Sequence, residues 1–258
     1  MIDPKKSLGQ HWLFDRAALQ AVAKAGELDK SDTVLEIGPG LGSLTKVLVE
    51  RAGRVFAIEK DEELAVQLSS SLKPANLEVI AADILEFDTR GLPAGYKVVA
   101  NLPYYLTSKL LRSLLENANP PSLMSLLVQK EVGERIVAKP GQMSLLALSV
   151  QYYAEPKLLR VVPKELFEPP PQVDAALIQV KRRLKPAFHA DTTKLFRLIR
   201  AGFTGRRKQL KNSLAAGLHM ESAPVAGLLR QLGIDPNSRT QKLSLTDWQR
   251  IYQKIPLD

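Results

Sequence analysis

Asn101-Leu102-Pro103-Tyr104 closes an apolar run, Val98-Val99-Ala100, that reads as a strand. A carboxamide, a rigid proline carbonyl and an aromatic face together suit one purpose, which is gripping the exocyclic amine of a planar base. In adenine that nitrogen is a poor nucleophile, because its lone pair is delocalised into the ring. Hydrogen bonds from its two hydrogens to the Asn101 side-chain oxygen and the Pro103 carbonyl favour a pyramidal nitrogen and expose the lone pair, which is help placed where charge develops. Tyr104 stacks on the base in this reading. Methyl transfer from a sulfonium is a direct displacement that needs positioning above all, and no tuned general base, since the proton can leave after attack. A base inside a helix cannot reach such a pocket, so the nucleotide is extruded or lies in an unpaired loop. Phe167, beside Pro169-Pro170-Pro171, is the candidate for the opposite face of the base; its alternative is an ordinary core phenylalanine before a turn.

A second constellation lies upstream. Glu36-Ile37-Gly38-Pro39-Gly40-Leu41-Gly42 leaves one strand and opens a helix, so a ligand can approach the backbone at a helix N-terminus. The spacing departs from the dinucleotide fingerprint, which needs glycine at position 43, where Ser43 stands. A nicotinamide cofactor is therefore disfavoured, and ATP more so, for want of a Gly-Lys-Ser/Thr phosphate loop. Glu59 ends the next strand, 21 positions after Gly38, where a carboxylate can accept both hydroxyls of a ribose. Asp83 ends the third strand, placed for an adenine amino group. The alternative is a tight turn with two surface carboxylates. Read together, the two constellations describe a methyl donor held beside an extruded adenine.

The elements that must position these residues alternate strand and helix through the first two-thirds of the chain, which predicts βαβ units and a mostly parallel sheet. Strands are expected at Thr33–Ile37, Arg54–Ile58, Leu77–Ala81, Lys97–Ala100 and Leu123–Val128, with helices over Leu44–Arg51, Glu62–Leu72 and Ser108–Glu116. Asp15 suits the cap of a helix over Arg16–Ala25, stopped by Gly26. Lys157–Val162 and Ala175–Val180 complete seven strands as an antiparallel hairpin edge. From Lys185 only helices are expected, at Thr193–Phe203, Arg207–Ala216, Val225–Leu232 and Thr246–Lys254, which predicts domains of 1–184 and 185–258.

The charge is as uneven as the architecture. The chain of 258 residues has a formal net charge of +9, yet residues 1–180 carry 20 basic against 22 acidic side chains, and residues 181–258 carry 16 against 5. A concentrated positive field of this kind meets a polyanion; the alternative is solubility charge on surface helices. With no cysteine and three scattered histidines, thiolate chemistry is excluded and no metal site is expected. Met1–Lys6 has no apolar core of signal-peptide type, and no apolar run is long enough to span a membrane. A soluble, cytoplasmic monomer is expected.

Gly38–Gly42 with Glu59, Asp83 and Asn101–Tyr104 resembles the ribosomal RNA adenine N6,N6-dimethyltransferases. The N-terminal Lys6-Ser7-Leu8-Gly9-Gln10-His11-Trp12-Leu13 is similar to that family's cofactor-covering segment, Phe167 to Asp174 to its late signature, and Gly205 to Asn212 to its basic C-terminal helix. The resemblance runs from about Lys5 to Tyr252 and departs from the usual pattern at His11, where asparagine is common, at Ala176, and at Lys139–Ser144, which lacks the customary Tyr-Gly pair. It implies a class I, Rossmann-like S-adenosylmethionine-dependent methyltransferase domain with a small all-helical C-terminal domain. It also implies a cofactor site formed by Gln10, His11, Leu13, Glu36, Gly38, Gly40, Glu59, Lys60, Asp83, Ile84 and Asn101. The target adenine falls to Asn101, Pro103, Tyr104 and Phe167, and rRNA phosphates to Lys5, Lys6, Arg206, Arg207, Lys208 and Lys211. Among the family's branches the basic segment and the Phe-x-Pro-Pro-Pro form look like the housekeeping one, which dimethylates two adjacent adenosines in the 3′-terminal hairpin loop of 16S rRNA during small-subunit biogenesis. The rivals are the resistance enzymes acting on 23S rRNA and the mitochondrial relatives. Further off stand a DNA adenine methyltransferase, against which Leu102 argues, and a non-catalytic assembly factor.

Overall fold

A computed structural model of the chain describes residues 10–104, 106–205 and 207–257. In chain order the elements are β1 (Trp12–Leu13), α1 (Arg16–Ala25), β2 (Thr33–Ile37), α2 (Ser43–Arg51), β3 (Arg54–Glu59), α3 (Glu62–Ser71), β4 (Leu77–Ala81), β5 (Lys97–Asn101), α4 (Thr107–Glu116), β6 (Leu123–Gln129), α5 (Lys130–Ile136), α6 (Leu145–Tyr153), β7 (Ala154–Val162), β8 (Phe167–Glu168), β9 (Ala175–Arg182), α7 (Thr192–Phe203), α8 (Leu210–Leu218), α9 (Ser222–Gln231) and α10 (Leu245–Lys254). The seven-stranded sheet has the order β4-β3-β2-β5-β6-β9-β7. Its first five strands are mutually parallel, and β9 runs antiparallel to β6. The strand order reverses between β2 and β5, and open α/β sheets bind ligands at the carboxyl ends of the strands at such a point.

The central strands are apolar on both faces, as a covered parallel sheet requires: Val34, Leu35, Val55, Ala57, Val98 and Val99 are fully buried. Asp15 caps α1 as expected, its carboxylate accepting from Ala18 N at 2.7 Å. On β6, the buried Ser125 hydroxyl donates to the Val22 carbonyl at 2.7 Å and ties α1 to the sheet.

The chain divides into two compact units, residues 1–134 with 155–182, and residues 135–154 with 183–258. A single cut after residue 184 leaves residues 135–154 on the other side, and the difference has a clear cause. Ala138, Met143, Leu148 and Tyr152 share one apolar core with Phe196, Leu214 and Trp248. Gly141 N and Met143 N both donate to the Gln241 carbonyl, at 2.9 and 3.1 Å, and Tyr152 Oη donates to Phe188 O at 3.0 Å. Where α7 meets α8, a methyl group on Gly217 would lie 2.5 Å from both Cα and Cβ of Ala201, so these helices approach as closely as glycine allows.

Candidate active site

The carboxyl ends of β2, β3 and β5, with the loop after β4, surround a cleft that opens to solvent. Gly38, Gly40 and Gly42, at the turn from β2 into α2, have φ of +65°, +56° and +79°, a region that residues with a Cβ enter only under strain. At Gly40 space is short as well, since a Cβ there would sit 2.8 Å from Trp12 Nε1. A Cβ on Gly38 would lie 3.8 Å from Pro103 Cδ, so the glycine turn and the Asn101–Tyr104 motif are direct neighbours.

Three carboxyl groups line this cleft in different electrostatic states. Glu36 is buried, and its Oε2 has no hydrogen-bond partner; burial pushes its pKa up to about 8, an effect the Thr45 hydroxyl opposes and Glu59 reinforces. Glu59 is also buried and shifted upward by desolvation, but backbone amides oppose the shift: Gly40 N donates to Oε2 at 3.0 Å and Asp61 N to Oε1 at 2.9 Å. A carboxylate has about four acceptor positions, so Glu59 keeps capacity for a ligand. Asp83 is held below the ordinary carboxylate range, first by Lys60, whose Nζ lies 2.8 Å away, and then by the amide of Leu85.

At the end of β5, Asn101 Nδ2 donates to the His11 carbonyl at 2.9 Å. That contact fixes which end of the amide is which and leaves Oδ1 as the acceptor. The Pro103 carbonyl accepts from Leu106 N at 3.1 Å and keeps a second lone pair. Burial, and then the charge of Asp174, hold the Tyr104 phenol protonated, with its pKa pushed up to about 12. Tyr104 is thus a ring for stacking and not a base. The His11 ring lies against it, centroids 5.8 Å apart and planes 30° from parallel, and His11 Nδ1 is 2.7 Å from the Pro169 carbonyl. A carbonyl only accepts, so Nδ1 carries the hydrogen.

The cleft therefore brings together Gln10, His11, Leu13, Glu36, Gly38, Gly40, Glu59, Lys60, Asp83, Ile84, Asn101, Pro103 and Tyr104. It does not gather Phe167, which is 3 % exposed, packs in the core beneath α1 and α2, and pairs with Leu13 where β1 and β8 form a two-stranded antiparallel ribbon. The ordinary core role describes this side chain. Arg207 and Lys208 are exposed in the turn before α8, and Lys211 lies in the first turn of α8, its Nζ 2.9 Å from Asn237 Oδ1. The helix begins at Leu210 and not at Arg207, because Gln209 is extended. Lys5, Lys6 and Arg206 lie outside the described residues. Sequence reasoning passed over Trp12, which covers Gly40, and Asp61, which caps α3 and supplies an amide to Glu59. Trp12 stands within the covering segment, so its signal was adjacency to Leu13; Asp61 is a carboxylate two residues beyond Glu59. Among the described residues there is no group of three or more His, Asp or Glu able to hold a metal ion, and no helix is long and apolar enough to cross a membrane.

Known proteins with this sequence pattern and fold are consistent with one another. The family described as "Ribosomal RNA adenine dimethylase" matches residues 1–256. A relative named "Ribosomal RNA small subunit methyltransferase A", from Dehalococcoides mccartyi, is 43% identical over 255 residues, covering 96% of this chain and 87% of the relative. Among solved structures, a dimethyladenosine transferase from Plasmodium falciparum superposes with a TM-score of 0.81 at 24% identity, covering 93% of this chain and 96% of that one. The 23S rRNA methyltransferase ErmE superposes with a TM-score of 0.77 at 27% identity, covering 94% and 98%. With a family match over nearly its whole length and relatives above 40% identity, the chain belongs to the ribosomal RNA adenine dimethylase family.

Proposed function

We propose that this chain transfers methyl groups from S-adenosylmethionine to the N6 amines of two adjacent adenosines in the 3′-terminal hairpin loop of 16S rRNA. The observation that carries the reading is the Asn101 amide, whose Nδ2 is committed to the His11 carbonyl so that Oδ1 is the free acceptor at the cleft. The cleft also fits the donor. A buried acceptor without a partner at Glu36, a carboxylate with spare capacity at Glu59 and a further carboxylate at Asp83 suit a ligand that carries positive charge, a ribose diol and an exocyclic amine, and would repel the pyrophosphate of a dinucleotide. Gly38 and Gly40 let the backbone approach, Glu59 takes the ribose hydroxyls, Asp83 with Ile84 holds the adenine end, and His11 with Leu13 covers the site. When bound, the donor supplies an electrophilic methyl group on a sulfonium.

What the protein adds is position and polarity. Asn101 Oδ1 and the Pro103 carbonyl each accept one N6 hydrogen and keep the lone pair out of the ring π system. Tyr104 stacks on the base with the ring face that His11 leaves open. Arg207, Lys208 and Lys211, at the N-terminal end of α8, are placed to meet phosphate, where the helix dipole adds to their charge. Such contacts orient the RNA without reading its sequence. The identity to a small-subunit methyltransferase, 43%, against 27% to the 23S enzyme, supports the small subunit as substrate.

The test incubates labelled S-adenosylmethionine with unmethylated 30S particles, 50S particles and duplex DNA in parallel, followed by nucleoside mass spectrometry. N6,N6-dimethyladenosine from 30S alone is expected. Product from 50S would move the chain to the resistance branch. No product anywhere, with the donor still bound, would make it an assembly factor.

A further inference from the structure

Among the described residues, the cleft has a buried carboxylate oxygen without a hydrogen-bond partner. Glu36, next to last in β2, is 1 % exposed and lines the cleft, and its Oε2 lacks a hydrogen-bond partner. Among the described residues no positive charge acts on the carboxyl; Lys60, which lines the same cleft, is paired with Asp83. From β3 comes Glu59, with Asp61 behind it at the start of α3; from β5 comes Val99, in register with Glu36; from α2 comes Thr45, whose buried hydroxyl faces the Glu36 carboxyl. The groups acting on the Glu36 carboxyl are thus a hydroxyl and another carboxylate. A buried, unpaired carboxylate is costly to ionise, and a cation alongside reverses the preference.

Building on the reading of this cleft as the methyl-donor site, we propose that Glu36 is a proton-linked selector for the charged donor: protonated in the free protein, it ionises when a sulfonium ligand enters and so favours that ligand over its uncharged thioether product. The balance is simple. The protonated protein and the donor cation give the complex, with Glu36 as the counter-ion and one proton released to solvent. The thioether that remains after transfer lacks the sulfonium charge, and its binding gives Glu36 less reason to lose the proton. Glu59, whose two oxygens already accept backbone amides, does not serve this purpose.

Isothermal calorimetry on the full chain tests this with S-adenosylmethionine and S-adenosylhomocysteine as probes, between about pH 6.5 and 8.5, in buffers of different ionisation enthalpy, for the wild type and Glu36→Gln. Below about pH 8 the wild type is expected to release up to one proton more on binding S-adenosylmethionine than Glu36→Gln does, which removes the contribution of the ligand's own amine. Its preference for S-adenosylmethionine over S-adenosylhomocysteine should rise with pH by up to about tenfold per unit before levelling off, and the preference of Glu36→Gln should stay flatter. Equal proton release in the two proteins, with both ligands bound, would overturn the role of Glu36 while leaving the donor site intact. Absence of binding by either ligand would overturn the site reading and this proposal with it. Should the variant not fold, the wild type alone decides: S-adenosylmethionine binding that releases no more protons than S-adenosylhomocysteine binding overturns the proposal.

Discussion

Asn101 spends its donor on the His11 carbonyl and keeps its acceptor, and this division predicts two different mutants. Asn101→Ala should lower the turnover number by about 100-fold or more, the scale of losing one preorganised polar contact to the reacting group, while calorimetry finds the donor affinity little changed. Asn101→Asp should weaken donor binding as well, because a carboxylate oxygen would then face the His11 carbonyl, acceptor against acceptor; unchanged affinity in that variant would mean that this repulsion does not reach the donor site. Glu36 makes a prediction of another kind. Its pKa is raised from 4.5 to about 8 in the folded protein, so its contribution to stability is complete below about pH 4.5 and is lost as pH climbs through 8. Glu36→Gln lacks that loss. Denaturant unfolding at several pH values should find the variant gaining on the wild type from about pH 4.5 to 8 and then holding a constant lead, whereas a pH-independent difference would mean that Glu36 ionises at an ordinary value.

Among the elements, the contact between α7 and α8 is the least forgiving. Gly217→Ala must push a methyl into Ala201, 2.5 Å away, and should destabilise the protein by about 1–3 kcal/mol in denaturant unfolding. Adding Ala201→Gly should recover part of that, a coupling that only residues in contact display. The strands that carry the site are readable from sequence because a glycine, a carboxylate and a carboxamide mark their carboxyl ends: β2 runs into Gly38, β3 stops at Glu59, β5 at Asn101. Other elements leave no such mark. The segment Leu146–Val150 of α6 is buried almost residue by residue, so it has no polar face from which a helical period could be read. The β1–β8 ribbon joins two-residue strands more than 150 positions apart, too short for alternation to register. Its pairing of Leu13 with Phe167 is also what sets Phe167 in the core. The segment Arg207–Gln209 reads as helical because it is charged and continues into an amphipathic run, but α8 starts at Leu210.

Over the whole molecule the charge asymmetry supplies the test of the proposed RNA contact. Replacing Arg207, Lys208 and Lys211 with Ala should weaken binding to a 16S 3′-terminal fragment and reduce the slope of log affinity against log salt by roughly 2–3, near one per phosphate contact removed. A titration across potassium chloride concentrations that returned the wild-type slope would mean the basic turn faces elsewhere. The divided make-up of the helical unit bears on how the chain is made. Tyr152 and Trp248 belong to the same core yet stand 96 residues apart. At the usual pace of synthesis, the apolar side chains of residues 135–154 wait on the order of 5–20 s for their partners to be translated. Throughout that interval the nascent protein holds a greasy α6 whose cover, begun by Phe188 and Phe196, is complete only when the last helix arrives. A ribosome that stalls after Arg182 would strand that segment, an open invitation to chaperones and proteases.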